Sequence, residues 1–570
     1  MPPQKKVSSQ ARQKQLAGEV DHGRRAVLAA GVMSLPVISL VAAAVPIRGK
    51  TFYISATVGN DDWAGTSQTP GGNNGPWKTF AKASATTFAP GDRILLKCGD
   101  TWNEELHPKG NGTPENPILI SSYGLGAKPI IDRLDDKQDR NGIYLFDQAG
   151  FKIVGLEFNR CMTGIYGEYS AGTPTHKFIW IEDCYFHDAL MYQRYENYPK
   201  RKIGLGICFF SFERANKVVL SDITVKNCVF RRLASGIWTN SPDNFNKNAS
   251  YIYNFANMTL DGCLFEEGYQ WPMGLRGVDT GLVRNCVTID IGRLNNFLSF
   301  NGVAGSMFFR CKKWVFEDSE WGFVSIGGGS GDGEAFDFEG NCDDMIMRRC
   351  FFHDTDGPGF LLCCYASDGH PHSGIVMEDC FINGKSKRPI GLPRCAIVNT
   401  TDWNESTWKK CRFYLSKGEA LMRVMDPEKD KRTSFVDCTI QDLSAACSTP
   451  KLAARPITSA KDKSIELNFT KPTAVNEFKV KEAAGSSVNR YIIEYWDAKA
   501  SKWVSCFNGM QIGSEFIAPI VRRTFAKARL RVIATKEGEP QITAFEAYDD
   551  TSGEALNLAR GMAVPNRVGK

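Results

Sequence analysis

Between residues 156 and 438 one short pattern recurs, and it leaves few folds open to the chain. IWIEDCYF, ITVKNCVF, MTLDGCLF, GLVRNCVT, WVFEDSEW, MIMRRCFF, IVMEDCFI, STWKKCRF and SFVDCTI each run as an alternating apolar strand, a turn residue, Cys, a variable residue and an apolar residue. The landmark stands at Cys184, Cys228, Cys263, Cys286, Ser319, Cys350, Cys380, Cys411 and Cys438, with Leu156 in register one coil earlier. The mean spacing is about 31 residues. Strand alternation at that period, with no helical stripe, predicts an all-β parallel β-helix in which each repeat is one coil.

Period-two alternation points Ile223 and Val225 inward, and a corner at Asn227 breaks parity so that Cys228 and Phe230 point inward again. The corner reads Asp183, Asn227, Gly262, Asn285, Asp318, Arg349, Asp379, Lys410 and Asp437, mostly residues that tolerate a sharp left-handed bend. Coils stacked about 4.8 Å apart make these intervals a rod of roughly 40 Å. The chain has 18 cysteines. In an exported protein they would ordinarily be disulfides, but eight of them share one repeat position, so a reduced interior ladder is expected instead. No C-x2-C pair supports a zinc site.

Residues 1–44 read as an export signal. A basic stretch ends in Arg24-Arg25, an apolar run with Pro36 follows, and Ala42 and Ala44 make an A-x-A-like cleavage site. The segment is similar to a twin-arginine leader, which implies a periplasmic or secreted protein with no membrane span after processing. Setting aside its six basic and two acidic residues leaves 63 basic against 61 acidic, a balance with no nucleic-acid footprint.

Ahead of the repeats, "YIS…GND…GT…PWKTF", "PGD" before a strand and "YG…KPII" resemble the opening coils of the pectate-lyase-like family, and with the repeats the likeness covers residues 51–443. It implies a right-handed parallel β-helix (45–443) and work on a polysaccharide by elimination, hydrolysis or epimerisation. After a linker (444–463), the alternating strands of 464–550 predict a small antiparallel β-sandwich, with 551–570 as a tail. That module resembles the coagulation-factor type C (discoidin-like) sandwich of α-L-fucosidases, although its first third is shortened. The alternative role is a cap for the open end of the solenoid.

The densest chemistry lies in GGGSGDGEAFDFEGNCDD and FFHDTDGPGFLLCCYASDGHPH. With Phe336 and Phe338 facing the core, Asp337 and Glu339 face out about 7 Å apart, beside Asp332 and Glu334 on the preceding Gly-rich loop. Such carboxylates suit glycoside hydrolysis. Asp332, Glu334 and Asp337 could equally hold Ca2+, which would acidify a uronate for elimination. Asp337, Glu339, Glu334, His353 and Arg276 are the candidate catalytic residues. Trp238, Asn240, Tyr192, Tyr195, Arg194 and Asp356 are the candidate sugar contacts, the tyrosines for stacking and the arginine for anionic groups; repeat alignment places GIWTNS, with Trp238 and Asn240 outward, one face-equivalent strand before the acids. His353 and Asp356 are expected to wall the groove, and His370 with His372 could be half of a metal site. The pattern favours a monomeric lyase on an acidic polysaccharide. A glycoside hydrolase, a C5-epimerase and a non-catalytic glycan-binding surface protein are the alternatives, since the full hydrolase motif set of β-helix enzymes is absent and Thr355-Asp356-Gly357 is only a fragment of it.

Overall fold

The computed structural model describes residues 49–133, 141–189, 204–241, 252–293, 302–326, 332–364, 371–383, 395–399, 404–415, 420–424, 432–442, 452–454, 464–484, 488–551, 553–560 and 562. The expected export signal lies outside them. Among the described residues no helix is long and apolar enough to cross a membrane.

From Thr51–Ile54 to Thr433–Asp442 the strands pair in parallel, each with its equivalent one coil on, and build a right-handed parallel β-helix. Right-twisted strands joined by crossovers into one parallel sheet take that hand. One sheet gathers the strands on either side of the cysteine corner. The other is a ten-stranded wall: Asn141–Phe146, Thr163–Tyr169, Leu205–Ser211, Ser235–Asn240, Met273–Arg276, Met307–Phe309, Phe336–Glu339, Phe360–Cys363, Cys395–Asn399 and Ala420–Val424.

All nine corner residues adopt positive φ, between 49° and 67°, including Arg349 and Lys410, which do not favour it. The corner flips side-chain parity, so Ile223 and Val225 before it and Cys228 and Phe230 after it all enter the core. Just past it Phe158, Phe186, Phe230 and Phe265 stack at 4.7–4.9 Å with near-parallel rings. The described cysteines are all free thiols, and all but Cys98 and Cys506 are buried. Each ladder sulfur from Cys184 to Cys286, and again from Cys350 to Cys438, donates weakly to a backbone carbonyl. Burial raises four of the eight ladder thiols, Cys184, Cys263, Cys350 and Cys411, well above the ordinary value, which keeps them protonated. Ser319 fills the gap in the ladder, its hydroxyl accepting from Cys286 N.

The C-terminal module is a small antiparallel β-sandwich. Its long strands Ser464–Glu482 and Phe516–Thr535 carry register shifts that let the sheet bend over Phe478, Tyr491, Phe507 and Phe525. Phe351, Phe381 and Tyr414 of the solenoid complete that core. The module therefore braces the flank of several coils rather than closing the end. Two short strands fall in stretches read from sequence as linker and tail. Leu452–Ala454 joins the module's sheet, and Glu554–Leu558 pairs antiparallel with the last coil, covering its open edge.

Candidate functional site

Because the strands of the ten-stranded wall stack in register, its outward side chains form columns. One column reads Tyr144, Tyr166, Cys208, Trp238, Gly274, Met307, Asp337, Leu361 and Val398. In the next, Phe146, Glu168 and Phe210 lie toward the N-terminal coils and Arg276, Phe309, Glu339 and Cys363 toward the C-terminal ones.

The four acids converge on the coil that contains Phe336–Glu339. Asp337 N donates to Ser306 O at 2.9 Å, while Gly305 N donates to Glu334 O at 3.0 Å, so the backbone of the preceding coil places both residues. Asp332 lies over Gly302, where an added Cβ would come 1.2 Å from Asp332 Oδ2, so only glycine leaves room for this carboxylate. Phe336 and Phe338 enter the core and Asp337 and Glu339 leave it, as alternation requires. The outward acids are nonetheless well covered. Glu334 is 2% and Asp337 6% exposed, and Glu334 Oε2 and Asp337 Oδ1 have no hydrogen-bond partner.

Their acidities follow from that setting. Burial pushes Asp332 up to about 6. Burial, then the charge of Asp332, lifts Glu334 well above the carboxylate range against the pull of backbone N–H groups. Burial, then the charges of Glu339, Glu334 and Asp332, lifts Asp337 likewise. The charges acting on Glu334 and Asp337 are carboxylates rather than cations. Such a set can keep one carboxyl protonated as a donor while another stays ionised at neutral pH. Among the described residues no three His, Cys, Asp or Glu side chains form a group able to hold a metal ion.

Arg276 belongs to the same wall, two strands from Glu339. Its guanidinium lies 5.0 Å from the Trp238 ring and 5.4 Å from the Phe309 ring, and Trp238 stacks on Trp271 at 5.6 Å. Trp238 shares the Asp337 column but stands three strands away, not one as the repeat spacing predicts, because the Met273–Arg276 and Met307–Phe309 strands intervene. Asn240 sits half-buried at the end of the Trp238 strand. Trp271 and Phe309 escape a reading by repeats, since neither occupies the cysteine landmark. The alternation of GSMFFR, with Phe308 in the core, could have revealed Phe309.

Two candidates lie elsewhere. His353 is fully buried on Phe351–Thr355, in the other sheet and beneath the C-terminal module. Its ring is 2.9 Å from Asp354 Oδ2 and 3.0 Å from Glu320 Oε1, it stacks on Phe351, and Asn508 of the module donates twice to Glu320. The groove-wall position expected for it is thus corrected: the residue follows the cysteine corner on a strand, so its outward side meets the module. Asp356 accepts from Ser325 Oγ at 2.9 Å and Ile326 N at 3.2 Å, and Gly357 N donates to Gly333 O. It pins the backbone under the acidic turn. His372 is also structural, its Nδ1 accepting from Cys342 N. Tyr192, Arg194, Tyr195 and His370 lie outside the described residues.

No family model matches the chain. A lacto-N-biosidase of Bifidobacterium longum subsp. longum is 40% identical over 89 residues, which are 15% of this chain and 5% of that protein. The chain thus spans only a small part of that relative. The structure of a GH136 lacto-N-biosidase from Eubacterium ramulus superposes with a TM-score of 0.53 at 17% identity, over 69% of this chain and 68% of that one, and shares its fold. An alginate lyase from Paenibacillus sp. str. FPU-7 aligns over 70% of this chain and 96% of its own at 12% identity, with a TM-score of 0.35.

Proposed function

We propose that this chain is an exported carbohydrate-active enzyme that hydrolyses a glycosidic bond with the carboxyl groups of Asp332, Glu334, Asp337 and Glu339. The observation that carries the reading is a pair of buried, unpartnered carboxyl oxygens, on Glu334 and Asp337, set among further acids on one outer wall. Evolution keeps such groups at a cost in stability where they react. In this reading Asp337 or Glu334, protonated at neutral pH, gives its proton to the leaving oxygen. Asp332, whose pKa of about 6 leaves it mostly ionised at pH 7, acts on the anomeric carbon directly or through water. Fold alone carries no function, so the argument rests on these groups and not on the β-helix.

Elimination from an acidic polysaccharide is the second reading. It is favoured by Arg276, a cation on the same wall suited to a uronate carboxylate. The C-terminal module, whose sequence resembles a discoidin-like sandwich, serves in our reading first as a brace for the coils behind the acids.

The test is a substrate panel, with and without calcium: aryl glycosides, lacto-N-biosides, pectate, alginate and glycosaminoglycans. New reducing ends without unsaturated-product absorbance, unchanged by chelator, are expected. Asp337→Asn and Asp332→Asn should each cut kcat by about 100-fold or more. Unsaturated products would replace hydrolysis with elimination. Binding with no turnover on any substrate would make the chain a glycan-binding surface protein.

A further inference from the structure

The N-terminal end of the wall that carries the acids has a second, separate character. Tyr144 and Tyr166 stack at 5.6 Å with an interplanar angle of 12°. Glu168 stands beside them in the neighbouring column. Phe146 lies 6.2 Å from Tyr144, and Phe210 meets Phe212 edge-on at 4.8 Å. Phe146 is 41% and Phe212 49% exposed, while Tyr144, Tyr166, Glu168 and Phe210 are half-buried. A wall that buries aromatic rings elsewhere here leaves Phe146 and Phe212 in water, with a carboxylate beside the tyrosine pair.

We infer that this strip is a remote glycan-binding subsite, which holds a neutral, hydroxyl-rich sugar chain whose reacting bond lies at the acids; it rests on the reading above. Three features select that ligand. Partly exposed aromatic rings pack against the C–H face of a sugar ring, and the carboxylate beside them accepts from sugar hydroxyls. Among the described residues of these two columns the strip carries the acid Glu168 and no Lys or Arg, which disfavours an anionic polymer. Finally, Tyr144, Tyr166 and Trp238 stand in the same column as Asp337, so strip and acids share one line along the wall. Tyr166 is five strands from Asp337, about 24 Å at sheet spacing, which only an extended oligosaccharide can bridge. The aromatic strip and its neighbouring carboxylate thus act on long substrates and leave short ones untouched.

The full chain can be run in native gels cast with galactan, xyloglucan, mixed-linkage glucan or polygalacturonate. Retardation by a neutral polymer is expected, weakened tenfold or more by Tyr166→Ala, by Phe210→Ala and by the surface variant Phe212→Ser, with melting temperatures near the parent's for the last. Turnover of a short aryl glycoside should stay at the parent's rate in all three. The inference is overturned if no neutral polymer retards the protein, if only polygalacturonate does, or if the variants bind as the parent does. It is also overturned if light scattering shows a dimer that Phe212→Ser splits, because the strip would then be covered by a second copy. Retardation lost in the variants without turnover of any substrate keeps the subsite and removes the hydrolase reading. Turnover without retardation does the reverse.

Discussion

A carboxyl oxygen buried without a hydrogen-bond partner gives up its hydration and receives little in return, at a cost of about 1–3 kcal/mol. Glu334 and Asp337 limit that cost by keeping their protons. The native state then binds protons that the unfolded chain releases above about pH 4, so stability falls as pH rises from there toward the raised native values. Asp337→Asn removes the penalty. Its melting temperature should exceed the parent's at pH 8 and match it near pH 4, by scanning fluorimetry; equal values at pH 8 would mean that the carboxyl is solvated. Gly302 tests the same site from below. Since a Cβ there would collide with Asp332, Gly302→Ala should displace the carboxylate and lower turnover at least tenfold while the solenoid still melts cooperatively.

At the scale of the coil, the corner after each strand is what turns a repeat into a solenoid. Nine residues in left-handed conformation allow inward side chains on both sides of the bend, which brings the cysteines into one interior file. Lys410 occupies a corner that suits Gly or Asn, at φ 52°. Replacing it with Gly should stabilise the fold by about 0.5–1 kcal/mol, read from chemical denaturation. The file also predicts reactivity. Among the described cysteines, a thiol reagent on the native protein should label Cys98 and Cys506 first, and reach the ladder only on unfolding. Labelling of Cys228 or Cys380 in the native state would contradict the packing.

For the whole molecule, the module's docking turns on a buried ionic knot. Burial pulls the pKa of His353 down, but Asp354 and Glu320 together raise it above the ordinary value. Burial raises Glu320, yet His353 and Asn508 hold it below the ordinary range. The histidine's contribution is fully present below about pH 6.5 and is lost as pH rises through its raised native value. The glutamate's is present above about pH 4.5 and is lost as pH falls through its lowered one. Docking should therefore be firmest between these limits. Asn508→Ala should let proteases cut the module free more readily at mid-range pH while leaving the acids of the opposite wall active. Removal of residues 551–570 should expose the last coil's edge and promote self-association, seen as a rise in light scattering.

Period and alternation are local properties, so the sequence alone determined the coils, the cysteine file, the corner residues and the outward direction of Asp337 and Glu339. Each depends only on which residue follows which along one strand, repeated until the core closes. Tertiary structure decided the rest. His353 looks like a groove residue until the module lies over it, and Trp238 looks adjacent to the acids until two further strands are counted. Nothing in the order of residues says that Glu334 and Asp337 lose their water. Burial belongs to neighbours distant in sequence, and it is burial that raises their pKa values.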